Sequence, residues 1–121
     1  LENAVALFEK AATAFEKARA AAVEHGLDAA TRSELNRFLR TFERRLTSDA
    51  GLPARPWYRH QIYAPGQYTG YGVKTLPAIR EAIELRRWDE ANAQIRQVSA
   101  LLDAARVAVE AMTAKLAAAG V

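Results

Sequence analysis

The chain has 121 residues, half of them apolar and 26% charged, which suits one folded domain with one core. It contains no cysteine, so disulfides and thiolate metal sites are excluded, and no apolar run approaches the roughly 20 residues a membrane-spanning helix needs. A net charge of +3 is too mild to imply a nucleic-acid partner by itself.

Leu1 opens directly into a helical pattern without a capping residue, so the chain reads as a piece cut from a longer protein or as a processed form. Leu1, Val5, Phe8, Ala12, Phe15 and Ala22 recur at steps of three and four and predict a first amphipathic helix reaching His25. Gly26 supplies the stop, because glycine accepts the left-handed backbone just past a helix end. A second helix is expected from Thr31, where "TRSE" fits a capping box of Thr31 and Glu34. Leu35, Phe38, Leu39, Phe42 and Leu46 form its buried stripe, and the helix fades near Thr47.

From Ser48 to Lys74 the composition changes. The stretch "RPWYRHQIYAPGQYTGYG" holds all four tyrosines of the chain and one of its two tryptophans. Structureless loops beyond about 12–15 residues are uncommon in compact domains and usually functional or mobile. A flexible linker is rich in Ser, Gly and Lys rather than in Trp and Tyr, so this loop is expected to be ordered, with "RHQIYAP" as a short extended piece and Ile62 as its buried residue. A short third helix follows from Thr75 to Arg86, with Thr75 as cap, Pro77 in the first turn, and Leu76, Ile79, Ala82 and Ile83 facing inward. The fourth helix starts near Asp89. Its series Trp88, Ala91, Ile95, Val98, Leu102, Ala105, Val109, Met112 and Leu116 alternates steps of three and four, a heptad seam. Complementary stripes on four segments predict an all-α four-helix bundle, with a long ordered aromatic loop between helices 2 and 3 and a single domain over residues 1–121.

Catalytic constellations are largely missing. There is no HExxH, P-loop or dinucleotide-binding fingerprint. His25 and His60 are separated by a whole helix, and both read as structural or surface residues, His25 at a helix end where a cation meets the dipole. On helix 2, Arg32, Arg37, Arg40, Arg44 and Arg45 stand against Glu34 and Glu43. Arg37, Arg40 and Arg44 share a face, which fits either a phosphate-binding stripe or a solvated rim that docks on an acidic neighbour. The rim is the better reading, because the aromatics are segregated in the loop and not interleaved with these arginines. Asp103 and Glu110 bracket Arg106 and read as a surface charge network. The loop allows two readings: a contact surface, since Tyr and Trp beside Arg are typical of such surfaces, or a plug on the side of the bundle. Trp57, Tyr58, His60 and Tyr63 are its expected anchors, with Trp57 buried, and Tyr68 and Tyr71 are expected to be presented outward.

The string "RPWYRHQIYAP", followed by "LPAI" and then by "REAI" and "RRWDEA", resembles the transferrin receptor-like dimerisation domain, the C-terminal helical domain of the glutamate carboxypeptidase and transferrin receptor group. The resemblance runs from about Pro53 to Leu116; over Leu1–Leu46 it is one of helical pattern. It implies a parent chain carrying a zinc-peptidase domain and a protease-associated domain. The parent's catalytic domain would hold two zinc ions, with no ligands or cofactor in this chain. The helical domain would build much of a homodimer interface, and its Tyr-rich loop would line the pocket for the C-terminal residue of a peptide substrate. In glutamate-specific members a Lys-Tyr pair grips that residue. Counting from the shared "YAP", the tyrosine matches Tyr71 and the lysine position is Gly70; Lys74 is the candidate substitute. The resemblance thus implies a non-catalytic dimerisation and substrate-flanking domain of a glutamate carboxypeptidase-like metallopeptidase, with no nucleic-acid or membrane contact of its own. Two alternatives remain: a receptor-type interaction domain of a parent without catalysis, and a basic nucleic-acid-binding helical domain.

Overall fold

The computed structural model describes residues 1–68 and 72–119. Helix α1 spans Glu2–His25 and α2 spans Ala29–Thr41, extended by a 3-10 turn at Phe42–Leu46. A hairpin of β1 (Tyr63–Pro65) and β2 (Val73–Thr75) follows, then α3 (Pro77–Glu84) and α4 (Trp88–Ala119). Among the described residues four α-helices are present as expected, with a small antiparallel sheet that the apolar periodicity does not signal.

The helix ends have local causes. Gly26 closes α1 with φ +99°, and its N–H donates to the Ala22 carbonyl at 3.0 Å. At the start of α2 the cap is Asp28, not Thr31. The Asp28 carboxylate accepts from the Thr31 N–H at 2.7 Å and from the Thr31 hydroxyl at 3.1 Å. A charged acceptor at a helix N-terminus meets both the free amides and the positive end of the dipole, and it displaces the expected Thr31–Glu34 box. Glu34 pairs instead with Lys115 on α4. The Thr31 bonds hold the Asp28 carboxyl below the ordinary carboxylate range. A depressed folded value means the cap's contribution is complete above the ordinary aspartate pKa and is lost as pH falls through the depressed one. Asp28→Asn keeps an acceptor but removes that titration. Unfolding followed over a pH series is expected to show the stability gap between wild type and variant closing on acidification; parallel curves would exclude the cap.

Residues 63–65 and 73–75 pair as an antiparallel hairpin. Tyr63 pairs with Thr75, Ala64 with Lys74 and Pro65 with Val73. The ladder is extended at its base by the Leu76 N–H donating to the Ile62 carbonyl (2.7 Å), and toward the tip by the Gly66 N–H donating to Gly72 (3.1 Å). Thr75 thus belongs to β2, and α3 is preceded by Leu76 in the left-handed region (φ 51°) without a side-chain cap. Pro77 in the first turn is compatible with that entry, since no amide is needed there. The turn from α3 to α4 is a Schellman-type closure. The Arg87 N–H reaches the Ala82 carbonyl (2.8 Å) and the Arg86 N–H reaches Ile83 (3.0 Å), with Arg86 at φ 57° in the position usually held by glycine.

The chain divides into two compact units. One comprises residues 2–45 together with α4 from Leu101 onward. Its core is Ala11, Phe15 and Ala22 of α1, Leu35 of α2, and Val109, Met112 and Leu116 of α4. Phe8, Phe15, Phe38 and Phe42 stack in a tilted series with ring centroids 5.6–6.2 Å apart, a favourable geometry for aromatic quadrupoles. The seam of α4 lies as expected except at Trp88, which is exposed. On α1 the buried positions are Ala4, Ala11, Phe15 and Ala22; Val5 is exposed, so the stripe is rotated from the expected one. Leu39 and Ile83 are exposed as well. The other unit comprises residues 46–100 with Leu1, and so holds the aromatic loop, the hairpin, α3 and the first part of α4. Leu52, Ala64 and Ala78 form a small core there, with Tyr58 packed against it.

Candidate functional site

The aromatic loop is held by backbone hydrogen bonds before any side chain acts. The Ser48 N–H donates to Arg59 (2.8 Å), Gln61 to Leu46 (2.9 Å) and Leu52 to Tyr58 (2.9 Å), so residues 58–61 run beside 46–52. Gln61 is wholly buried, and its Nε2 donates to the carbonyls of Gly51 and Arg59. A buried amide thus serves two main-chain carbonyls at this crossing, while Ile62, the residue expected to be buried there, is only half-buried.

Above this platform sits a buried ion pair. The Arg55 Nη2 donates to both Glu81 oxygens, at 2.9 and 2.8 Å, and the two side chains are 7% and 9% exposed. Arg55 Nη1 donates to the Pro65 carbonyl at 2.6 Å, and Glu81 Oε1 accepts from the Gln67 N–H at 3.2 Å. The guanidinium also lies over the Tyr58 ring, 5.7 Å from its centroid. One pair therefore ties α3 to both residues flanking Gly66, where the hairpin enters its tip. The planar fork of arginine suits this task because it can serve a carboxylate and a carbonyl at once. Ala54, immediately before Arg55, is held in the left-handed region at φ 63°. Strained non-glycine residues persist only where the surroundings over-determine them.

The four expected anchors have different environments. Tyr58 is half-buried beneath Arg55. The His60 Nδ1 accepts from the Ile62 and Tyr63 N–H groups at 3.2 and 3.1 Å, so its ring shapes the entry to β1. Tyr63 is exposed and stacks obliquely on His60 at 5.7 Å. Trp57 is 69% exposed and so is not the buried anchor expected from its size; its ring touches Tyr58 from outside at 6.2 Å. The turn that brings the Tyr58 N–H to the Arg55 carbonyl (3.0 Å) aims Tyr58 inward and leaves its neighbour outside. Trp57→Ala is accordingly expected to change the unfolding free energy of the chain by less than about 0.5 kcal/mol, the usual range for surface positions; a loss near 3 kcal/mol in a urea titration would refute this.

Tyr68 is presented outward, 75% exposed. Tyr71 and Gly70 lie outside the described residues. Lys74 is engaged: its Nζ lies 2.7 Å from the Glu84 carboxylate, with its side chain only 15% exposed. That ammonium, followed by Arg80, holds the Glu84 carboxyl below its usual range. Among the described residues, no group of three or more His, Asp or Glu side chains gathers to hold a metal ion. The sequence pattern missed Arg55 and Glu81. Their signal was an acid on the apolar face of α3, among Ala78, Ile79 and Ala82.

Comparison with known proteins agrees with the loop string. Residues 1–110 match the family model described as the transferrin receptor-like dimerisation domain. A probable glutamate carboxypeptidase from Arthroderma benhamiae is 38% identical over 84 residues, 69% of this chain and 12% of that relative. One from Arabidopsis thaliana is 41% identical over 73 residues, covering 54% of this chain and 11% of the relative. An inactive zinc metalloprotease from Schizosaccharomyces pombe is 31% identical over 70 residues, 58% of this chain and 9% of the relative. The chain thus spans about an eighth or less of the length of the curated relatives it matches. With its helices, its loop string and nearly its whole length matched, the chain belongs to the transferrin receptor-like dimerisation domain family.

Proposed function

We propose that this chain is the non-catalytic homodimerisation and substrate-pocket-flanking domain of a zinc-dependent glutamate carboxypeptidase-like peptidase. The observation that carries the reading is the family match over residues 1–110, joined by relatives named as probable glutamate carboxypeptidases. The hairpin held by Arg55 and Glu81 supports it, because a loop that lines another domain's pocket has to keep its shape without that domain's help. Peptide chemistry and both zinc ions belong to the parent's catalytic domain, and Tyr71 is the residue of this chain that donates to the carboxylate of the bound peptide. In the parent enzyme, Tyr71→Phe is expected to raise KM with an unchanged melting temperature, and sedimentation is expected to give a dimer. Unchanged kinetics would remove the substrate contact; a monomeric parent would remove the dimerisation role.

A second reading has one observation in its favour: a relative named as an inactive zinc metalloprotease. In that case the parent is a receptor-type interaction protein. Metal analysis of the purified parent separates the two, since a peptidase is expected to carry zinc.

A further inference from the structure

The unit formed by α1, α2 and the C-terminal part of α4 carries a cationic surface of its own. A groove of about 520 Å³ runs between α2 with its 3-10 extension and α4. Four cations line it, Arg37, Arg44, Arg45 and Lys115, against one carboxylate, Glu34. Glu34 is already paired with Lys115. Arg37 and Arg45 are exposed and have no ion-pair partner among the described residues. Between these charges the floor is apolar: Phe38 and Met112, with Ala108 and Ala111 leaving room for an incoming side chain.

We propose that this groove docks an acidic amphipathic helix of a partner protein. Charge complementarity identifies the occupant. The rim is cationic, and Arg37 and Arg45 present forks that match carboxylates in bidentate geometry. The alanine floor accepts leucine-sized side chains, in the manner of a helix laid apolar face down into a groove. From Arg37 to Arg45 the rim extends roughly 12–15 Å at helical and 3-10 rise, which matches two to three turns of an occupant. A nucleic acid fits less well. Phe38 is engaged with Phe15 and Phe42, and no exposed aromatic among the lining residues offers a face on which bases can stack.

The test uses the 121-residue chain and a fluorescein-labelled helical peptide of about 14 residues, with Leu on one face and Glu on the other. Anisotropy is expected to show saturable binding that weakens between roughly 50 and 200 mM salt. Arg37→Glu/Arg45→Glu is expected to weaken it at least about tenfold, and Arg37→Lys/Arg45→Lys less. Circular dichroism checks that each variant remains folded. A peptide with every Leu replaced by Ser is expected to lose most of its affinity. Equal binding of that peptide, or of a single-stranded oligonucleotide of the same charge, would overturn the proposal by showing a generic polyanion effect. Absence of binding, or affinity unmoved by charge reversal, would overturn it too. If charge reversal instead changes the mass of the chain by light scattering, the groove is covered by a second copy and the proposed occupant is wrong.

Discussion

Glu81→Ala is expected to produce the largest stability loss of any single side-chain truncation in the loop unit, about 3–5 kcal/mol. The size follows from what remains behind. The Arg55 side chain is 7% exposed, so removing the carboxylate strands a buried guanidinium. The Gln67 N–H also loses its acceptor. The pair need not be a large net stabiliser for this to hold. Two charges taken out of water recover their desolvation cost only through good geometry, and an apolar replacement of both is often neutral or better. The double change Arg55→Met/Glu81→Leu is therefore expected to be less damaging than Glu81→Ala alone. Urea titration of the three proteins measures this, and hydrogen exchange at the Gln67 amide localises it. If Glu81→Ala costs less than about 1 kcal/mol, water reaches the guanidinium and the pair is not buried in solution. If the double variant is as unstable as the single one, the clamp contributes by holding Pro65 and Gln67 in place, beyond its electrostatics.

That clamp marks the boundary of what residue patterns reveal. The α4 seam was legible because large apolar residues recur at a fixed step against polar neighbours, and its positions from Ala91 to Leu116 are at least half-buried. The end of α1 was legible because Gly26 has one local explanation. On α1, however, alanine occupies several faces, so hydrophobicity alone does not distinguish Ala4 and Ala11, which are buried, from Val5 and Ala12. Thr31 looked like a cap because the box motif is local, and Asp28 prevailed because an ionised carboxylate is the stronger acceptor. The hairpin escaped because it depends on pairing across a tip, which no run of alternating residues announces in three-residue strands. At the candidate site the family string marked the loop from sequence alone. Its internal support, Arg55 to Glu81, joins positions 26 residues apart and is visible only once α3 has folded back.

Gly51→Ala is expected to cost about 2–5 kcal/mol, and it probes the platform below the clamp. Two terms add. Gly51 has φ +72°, where a Cβ costs about 1–2 kcal/mol. The same Cβ would stand 2.4 Å from the Pro56 oxygen and 2.5 Å from its Cα, and these are backbone atoms that no rotamer change can move aside. Relief requires shifting the 51–56 turn, which carries Leu52 into the small core and Arg55 to Glu81, a strain of about 1–3 kcal/mol. Gly26→Ala is the matched control. It also has positive φ, at +99°, but nothing lies within 4 Å of its Cβ, so only the backbone term applies. Urea titrations of the two variants are expected to differ by the steric term. Equal losses would mean that the turn yields freely, and the loop would then depend on the ion pair alone for its shape. A greater loss at Gly51, with faster exchange at the Gln61 and Gln67 amides, would show that the tight turn and the clamp fold as one cooperative piece.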